Sequence, residues 1–306
     1  MRTPLRRSPW LSAAAGGDVF LKLETLQPTF SYKIRGAFNA VLKLAEARGE
    51  APRLRSGQAP PLVTASAGNH GRALAHAARI AGLRLTVYVP STAPRAKIDA
   101  IRDSGAELRT CADYDEAETR AREHGADGRA LFVSPYSHPD VIAGAGTIGL
   151  EILEDLPDVD SIVVPVGGGG LVSGIAIAAK AISDRVAIVG VEVEASQAFT
   201  KSLAAGHIVP IDVGPTLADG LAGNLDPGAI TFDLVQRLVS AVVLVDERQL
   251  QEAIAGIARE ERLIAEAAGA AATAAVLGGR LDVSGRRTAV IVSGGNIDLE
   301  KLKTLI

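Results

Sequence analysis

Lys33 lies in Ser31-Tyr32-Lys33-Ile34-Arg35-Gly36-Ala37, just after a short apolar strand and at the opening of a predicted helix. An amine held there by rigid backbone, beside an aromatic ring, suits a lysine that must lose its proton and attack an aldehyde. Desolvation and the positive end of a helix both disfavour the ammonium form. A lysine near a helix start is otherwise a solvated surface residue, so the reading depends on what accompanies it.

Three further segments supply the partners. Gly167-Gly168-Gly169-Gly170 separates the apolar strand 161–166 from a predicted helix starting at Leu171. Glycines there let backbone N–H groups approach a phosphate, and the helix N-terminus favours the anion. A plain turn is the rival reading, but four glycines cost backbone entropy that a mere connection does not need. No Gly-Lys-Ser/Thr follows, and no clean G-x-G-x-x-G with a downstream ribose-binding acid is present, so nucleotide loops are poor fits. Ser66-Ala67-Gly68-Asn69-His70-Gly71 also joins a strand to a helix. Its N–H groups and the Ser66 hydroxyl could bind a carboxylate, and Asn69 could donate to a phenolate oxygen. The same segment equally reads as a capped turn, with Ser66 or Asn69 as N-cap. Ser293-Gly294-Gly295-Asn296 follows the apolar strand Ala289-Val290-Ile291-Val292 and places a hydroxyl where it could meet a ring nitrogen. A lysine so accompanied can form a Schiff base with pyridoxal phosphate.

The elements that must position these groups alternate strand and helix. Strands are expected at 19–23, 62–65, 85–89, 107–110, 130–133, 161–166, 186–193, 242–245 and 288–292. Helices are expected at 31–47 (capped by Ser31), 71–81, 94–104, 115–124, 141–156 and 171–182. Continuous apolar strands such as Ile162-Val163-Val164 imply parallel sheets covered on both faces. A Gly-, Pro- and Arg-rich linker at 49–61 separates two such clusters. The expected fold class is therefore α/β, with two doubly wound, mostly parallel lobes and a ligand cleft between them. The expected division is a large cofactor-binding domain (1–48 and 134–306) and a small mobile domain (49–133).

With 306 residues the chain is comfortable for two lobes, and 47% hydrophobic content allows substantial burial. A net charge of −3 without a basic run gives no sign of nucleic-acid or membrane-surface binding. Cys111 is the only cysteine, which excludes an intrachain disulfide and a thiolate cluster and reads as a small buried apolar residue. The run Leu263–Leu277 carries Glu266 and is too short to span a bilayer. Met1–Phe20 lacks the apolar core of a secretory signal, so the cytoplasm is the default compartment.

Together the four segments resemble the fold-type II pyridoxal-phosphate enzymes, in the threonine/serine dehydratase and serine racemase branch. The likeness runs from Thr3-Pro4-Leu5 to Ser293-Gly294-Gly295-Asn296-Ile297-Asp298-Leu299. It takes in Val141-Ile142-Ala143-Gly144-Ala145-Gly146-Thr147, Thr216-Leu217-Ala218-Asp219-Gly220-Leu221 and Glu266-Ala267-Ala268-Gly269-Ala270. The resemblance implies that Lys33 holds the cofactor covalently and later removes the substrate Cα proton. It implies that Tyr32, where relatives carry Phe, packs beside the ring and that Asn69 bonds its O3′. Ser66, Ala67, Gly68, Asn69 and His70 would grip the substrate carboxylate. Gly167, Gly168, Gly169, Gly170 and Leu171 would hold the phosphate, and Ser293 would face the pyridine nitrogen. A homodimer is also implied.

Departures from the family pattern sharpen the expectation. Ala67 stands where the racemases carry a second serine, the base on the opposite face, so one-face elimination is expected rather than racemisation. Glu192 fits the first position of a family cation site but Ala198 fills the second, so no metal is expected. Phe30 replaces a usual Gly, and His138 occupies a spot that is often acidic; each either reshapes the pocket or lies at its entrance. Glu266 reads either as a group near the cofactor or as an ordinary helix carboxylate. The chain ends soon after the Ser293 turn, which disfavours the feedback-regulated form. The expected activity is dehydration and deamination of a β-hydroxy L-amino acid, such as L-threonine or L-serine, to a 2-oxo acid and ammonia. The alternatives are a dehydratase for a bulkier substrate, β-replacement of the cysteine synthase type, a catalytically silent cofactor-binding sensor, and, weakest, a nicotinamide dehydrogenase.

Overall fold

The computed structural model describes residues 1–46, 60–93 and 95–306. Most of the expected linker, and Pro94 at the start of one expected helix, lie outside the described residues. The chain forms two compact units, Met1–Tyr32 with Ala145–Ile306, and Lys33–Gly144. It passes from one to the other between Tyr32 and Lys33, and again between Gly144 and Ala145.

The described strands are β1 (Leu5–Arg7), β2 (Asp18–Leu23), β3 (Leu62–Ala65), β4 (Leu85–Pro90), β5 (Glu107–Cys111), β6 (Leu131–Phe132), β7 (Ser161–Pro165), β8 (Ala187–Val193), β9 (Ala241–Val245) and β10 (Arg287–Val292). In the first unit they form a sheet of order β1-β2-β10-β7-β8-β9, in which only β1 runs antiparallel. Residues alternate between two cores. Val163, Val191 and Val290 join the helices Glu247–Gly256 and Ala267–Leu277 on one side. Ile162, Val164, Ile188 and Ile291 join the helix Gly170–Ile182 on the other. A two-residue side-chain period with both faces apolar leaves little polar surface along these strands, which is why they read as unbroken apolar runs. The second unit is a parallel sheet of order β5-β4-β3-β6. The helix Lys33–Glu46 buries Ile34, Ala37, Ala40 and Val41, a one-face spacing, together with the helix Asn69–Ala81. The α/β class with two mostly parallel sheets is thus the one expected.

One buried charge sits in the strand that leads toward Lys33. Lys22 is 0% exposed, and its Nζ donates to Glu151 Oε2 at 2.6 Å and to Thr3 O at 2.7 Å. Removing one partner of a buried ion pair leaves an uncompensated charge, at a cost of about 3–5 kcal/mol. Lys22→Met should lose about that much in urea unfolding, and Lys22→Met with Glu151→Leu should recover most of it. Equal losses in the single and double variants would show that the pair is not what holds this strand.

Candidate active site

Lys33 is the first residue of the helix Lys33–Glu46, and its Nζ donates to Pro135 O at 2.7 Å. Two glycines make this possible. A Cβ built on Gly36 would lie 2.7 Å from Val141 O, and one on Gly144 would lie 2.5 Å from Arg35 O. The helix carrying Lys33 and the start of the helix Pro139–Asp155 therefore meet backbone to backbone, which no larger residue permits. Asn39 Nδ2 adds a bond to Asp140 O at 2.8 Å. The intervening segment is fixed at several points. Val133 O accepts from Thr64 Oγ1 at 2.8 Å and from His70 Nε2 at 3.3 Å, and Ser134 Oγ accepts from Ser137 N at 3.1 Å. His138 Nδ1 accepts from Asp140 N at 3.2 Å, so this half-buried imidazole serves the first turn of the helix.

The segment Ser66–His70 leaves β3 and enters the helix Asn69–Ala81. Gly68 is the N-cap and no side chain caps the helix, so neither Ser66 nor Asn69 fills the capping place that one sequence reading gave them. The Ser66 hydroxyl instead accepts from Gly68 N at 3.3 Å. A Cβ on Gly71 would come within 2.1 Å of Ser66 O, so the loop wraps closely on the first helical turn. An uncapped helix start is a natural seat for a carboxylate. Ser66, Ala67, Gly68 and Asn69 are partly exposed, whereas His70 is 2% exposed. With Nε2 donating to Val133 O, the neutral ring leaves Nδ1 buried with no protein partner. Burial first, and then the charge of Lys33, push its pKa down to about 3.

In the first unit, Tyr32 N donates to Ser293 O at 3.0 Å and Ser31 bridges Gly294. Gly295 N donates to Phe30 O at 2.9 Å, and Asn296 Nδ2 donates to Thr29 O at 2.9 Å. These bonds explain how Phe30 keeps a left-handed backbone, with φ of 55°, that glycine would adopt more easily. Phe30 as a whole is 51% exposed. Ser293 is buried, its N–H donating to Gly269 O at 3.3 Å, and the buried Glu266 donates through its own N–H to Gly294 O at 3.0 Å. Sequence alone left Glu266 open; the fold sets it beside the Ser293 turn.

Gly167–Gly170 follow β7 and lead into the helix Gly170–Ile182, whose N-cap Gly169 has φ of 84° and for which no side chain provides a cap. A Cβ at Gly169 would lie 2.5 Å from the Phe199 ring, and one at Gly167 would lie 3.1 Å from Leu221 Cα. Leu171 is buried in the first helical turn. Glu192, which the sequence reading matched to half of a cation site, is buried and accepts from Phe199 N, Thr200 N and Thr200 Oγ1 at 2.7–2.8 Å. Its carboxylate is spent on the start of the helix Ala198–Ala205, and burial raises its pKa. Cys111 is buried, and burial raises its thiol pKa as well. No described helix is long and apolar enough to cross a membrane.

Residues 1–294 match the family described as "Pyridoxal-phosphate dependent enzyme". The chain belongs to this family. It is 43% identical, over all of its own length and 74% of the relative's, to the "L-threonine ammonia-lyase" of Thermotoga maritima. It is 38% identical, over 99% of its length and 90% of the relative's, to the "L-threonine dehydratase catabolic TdcB" of Escherichia coli. Among solved structures, maize serine racemase superposes with a TM-score of 0.90 at 32% identity, covering 99% of this chain and 91% of that one. The residues present fit the cofactor of the family. The uncapped glycine turn is a cradle that a Cβ would fill, and Lys33 offers an amine on a fixed acceptor.

Within the second unit the fold thus gathers Lys33, Pro135, His70 and His138; within the first it laces Tyr32 to Ser293. Sequence reasoning missed Pro135, Phe199 and Thr231, the last donating through Oγ1 to Gly168 O at 2.8 Å. A carbonyl acceptor and side chains that act from behind a loop leave no spacing signal.

The depressed pKa of His70 has a measurable sign. An unfolded histidine titrates near about 6.5. Below that value the unfolded chain takes up a proton that the folded chain refuses, until the pH reaches the folded value of about 3. Stability from this group is complete above the unfolded pKa and falls as the pH drops. Urea unfolding should show His70→Gln gaining on the native protein by about 2–3 kcal/mol between pH 6.5 and 4.5. Parallel pH slopes in the two proteins would contradict a neutral buried ring.

Proposed function

We propose that this chain is an L-threonine ammonia-lyase that also accepts L-serine, releasing a 2-oxo acid and ammonia. The observation that carries the reading is the similarity, over all or nearly all of this chain, to an L-threonine ammonia-lyase and an L-threonine dehydratase, joined to a lysine whose nitrogen is fixed on Pro135 O. Lys33 Nζ holds the cofactor. Gly167, Gly168, Gly169, Gly170 and Leu171 bind its phosphate through backbone N–H groups. Tyr32 would pack beside its ring, Asn69 would donate to its phenolic oxygen and Ser293 would face its ring nitrogen. The bound pyridoxal phosphate supplies an aldehyde for amines and a ring that withdraws electron density from the substrate Cα.

This chain's own groups do the rest. Backbone N–H groups of Ser66–His70 seat the substrate carboxylate on the uncapped helix start. Once freed, Lys33 Nζ takes the Cα proton, and Pro135 O, accepting one of its hydrogens, aims the nitrogen. His70 stays neutral through burial and adds no second charge beside Lys33. Ser293 would offer the ring nitrogen a neutral hydroxyl in place of a carboxylate, which would make the ring a weaker electron sink and favour loss of the β-hydroxyl over transamination. Ala67 carries no proton to deliver from the opposite face, so the racemase likeness does not extend to racemisation. The large (1–48, 134–306) and small (49–133) domains, a homodimer and a cytoplasmic location belong to the same proposal.

Purified protein should release 2-oxo acid and ammonia from L-threonine and L-serine and form no D-serine. Lys33→Ala should lower turnover by at least about a thousandfold and remove the visible absorbance of bound cofactor together. Turnover retained in that variant would overturn the role of Lys33.

A further inference from the structure

Thr231 is 0% exposed, lies in the helix Ile230–Leu238 and is remote in sequence from the glycine turn. Its Oγ1 donates to Gly168 O at 2.8 Å. A trans peptide is planar, with its C=O and the following N–H pointing in opposite directions. Anchoring Gly168 O on Thr231 therefore turns the Gly169 N–H away from that buried side chain. The same spot is closed from a second direction. Glu192 accepts from Phe199 N at 2.7 Å, and the Phe199 ring comes within 2.5 Å of where a Gly169 Cβ would stand. A Cβ at Gly169 would also sit 3.0 Å from Thr231 Cβ. Hydroxyl and ring together leave Gly169 its left-handed backbone, with φ of 84°.

We propose that Thr231 is a positioning residue for the cofactor: its hydroxyl fixes the Gly168–Gly169 peptide so that the turn is already shaped for a phosphate before one binds. The inference rests on the reading of Gly167–Gly170 as the phosphate turn. A turn shaped in advance loses less freedom on binding, so the anchor acts on affinity and leaves the chemistry at Lys33 untouched. Thr231→Val keeps the shape and removes the donor, leaving Gly168 O without it; Thr231→Ser keeps the donor.

The test is equilibrium dialysis of the loaded full-length protein against a series of pyridoxal phosphate concentrations, for the native chain, Thr231→Val, Thr231→Ser and Gly169→Ala. Thr231→Val should weaken retention about tenfold, the worth of one hydrogen bond to a group left unmet. Thr231→Ser should stay within about threefold of the native protein on the same scale. Turnover at saturating cofactor should be unchanged in Thr231→Val. If Gly169→Ala weakens retention and Thr231→Val does not, even with a lowered melting temperature, the residue is merely structural and the inference fails. If neither variant weakens retention, the phosphate turn lies elsewhere and both readings fall.

Discussion

The backbone contact between the helix that starts at Lys33 and the one that starts at Pro139 is the constraint on which the rest of the site depends. It exists because Gly36 and Gly144 have no Cβ, and any side chain there would strike Val141 O or Arg35 O. The contact brings Lys33 Nζ to Pro135 O. Everything at the far end of that segment is held by other means, with Thr64 and His70 on Val133 O and Ser134 supporting its own turn. A mobile lysine would spend its time in solvent; this one has a fixed acceptor, so its nitrogen is placed before any ligand arrives.

The electrostatics of the site run toward neutrality. His70 is buried beside Lys33 and is held neutral, and the buried Ser293, proposed to face the cofactor ring, carries an uncharged hydroxyl. Glu192, a buried carboxylate that the sequence singled out, is satisfied by three donors at a helix start.

Much of this was legible in the sequence, for reasons that can be named. The strand 161–166 and the glycine turn after it were readable because a two-sided apolar run ending in Gly167–Gly170 has few other uses. The Ser66–His70 and Ser293–Asn296 turns stood out as polar breaks after apolar strands. Less was visible where the signal is not periodic. The three-residue β1 and the helix Ala198–Ala205 escaped notice because short elements carry too few residues to show a pattern. The helix Ala267–Leu277 is buried nearly all round, and so registers as an apolar run without a face. Phe30 in a left-handed backbone, Pro135 as an acceptor and Thr231 behind the turn are consequences of tertiary bonds that no local spacing encodes.

The central claim is that Lys33, and no other lysine, carries the cofactor. Borohydride reduction of the native protein followed by peptide mapping addresses it without any assay of turnover. The account predicts a single pyridoxyl group on the peptide containing Tyr32-Lys33-Ile34. A pyridoxyl group on a different lysine, with Lys33 unmodified, would contradict it.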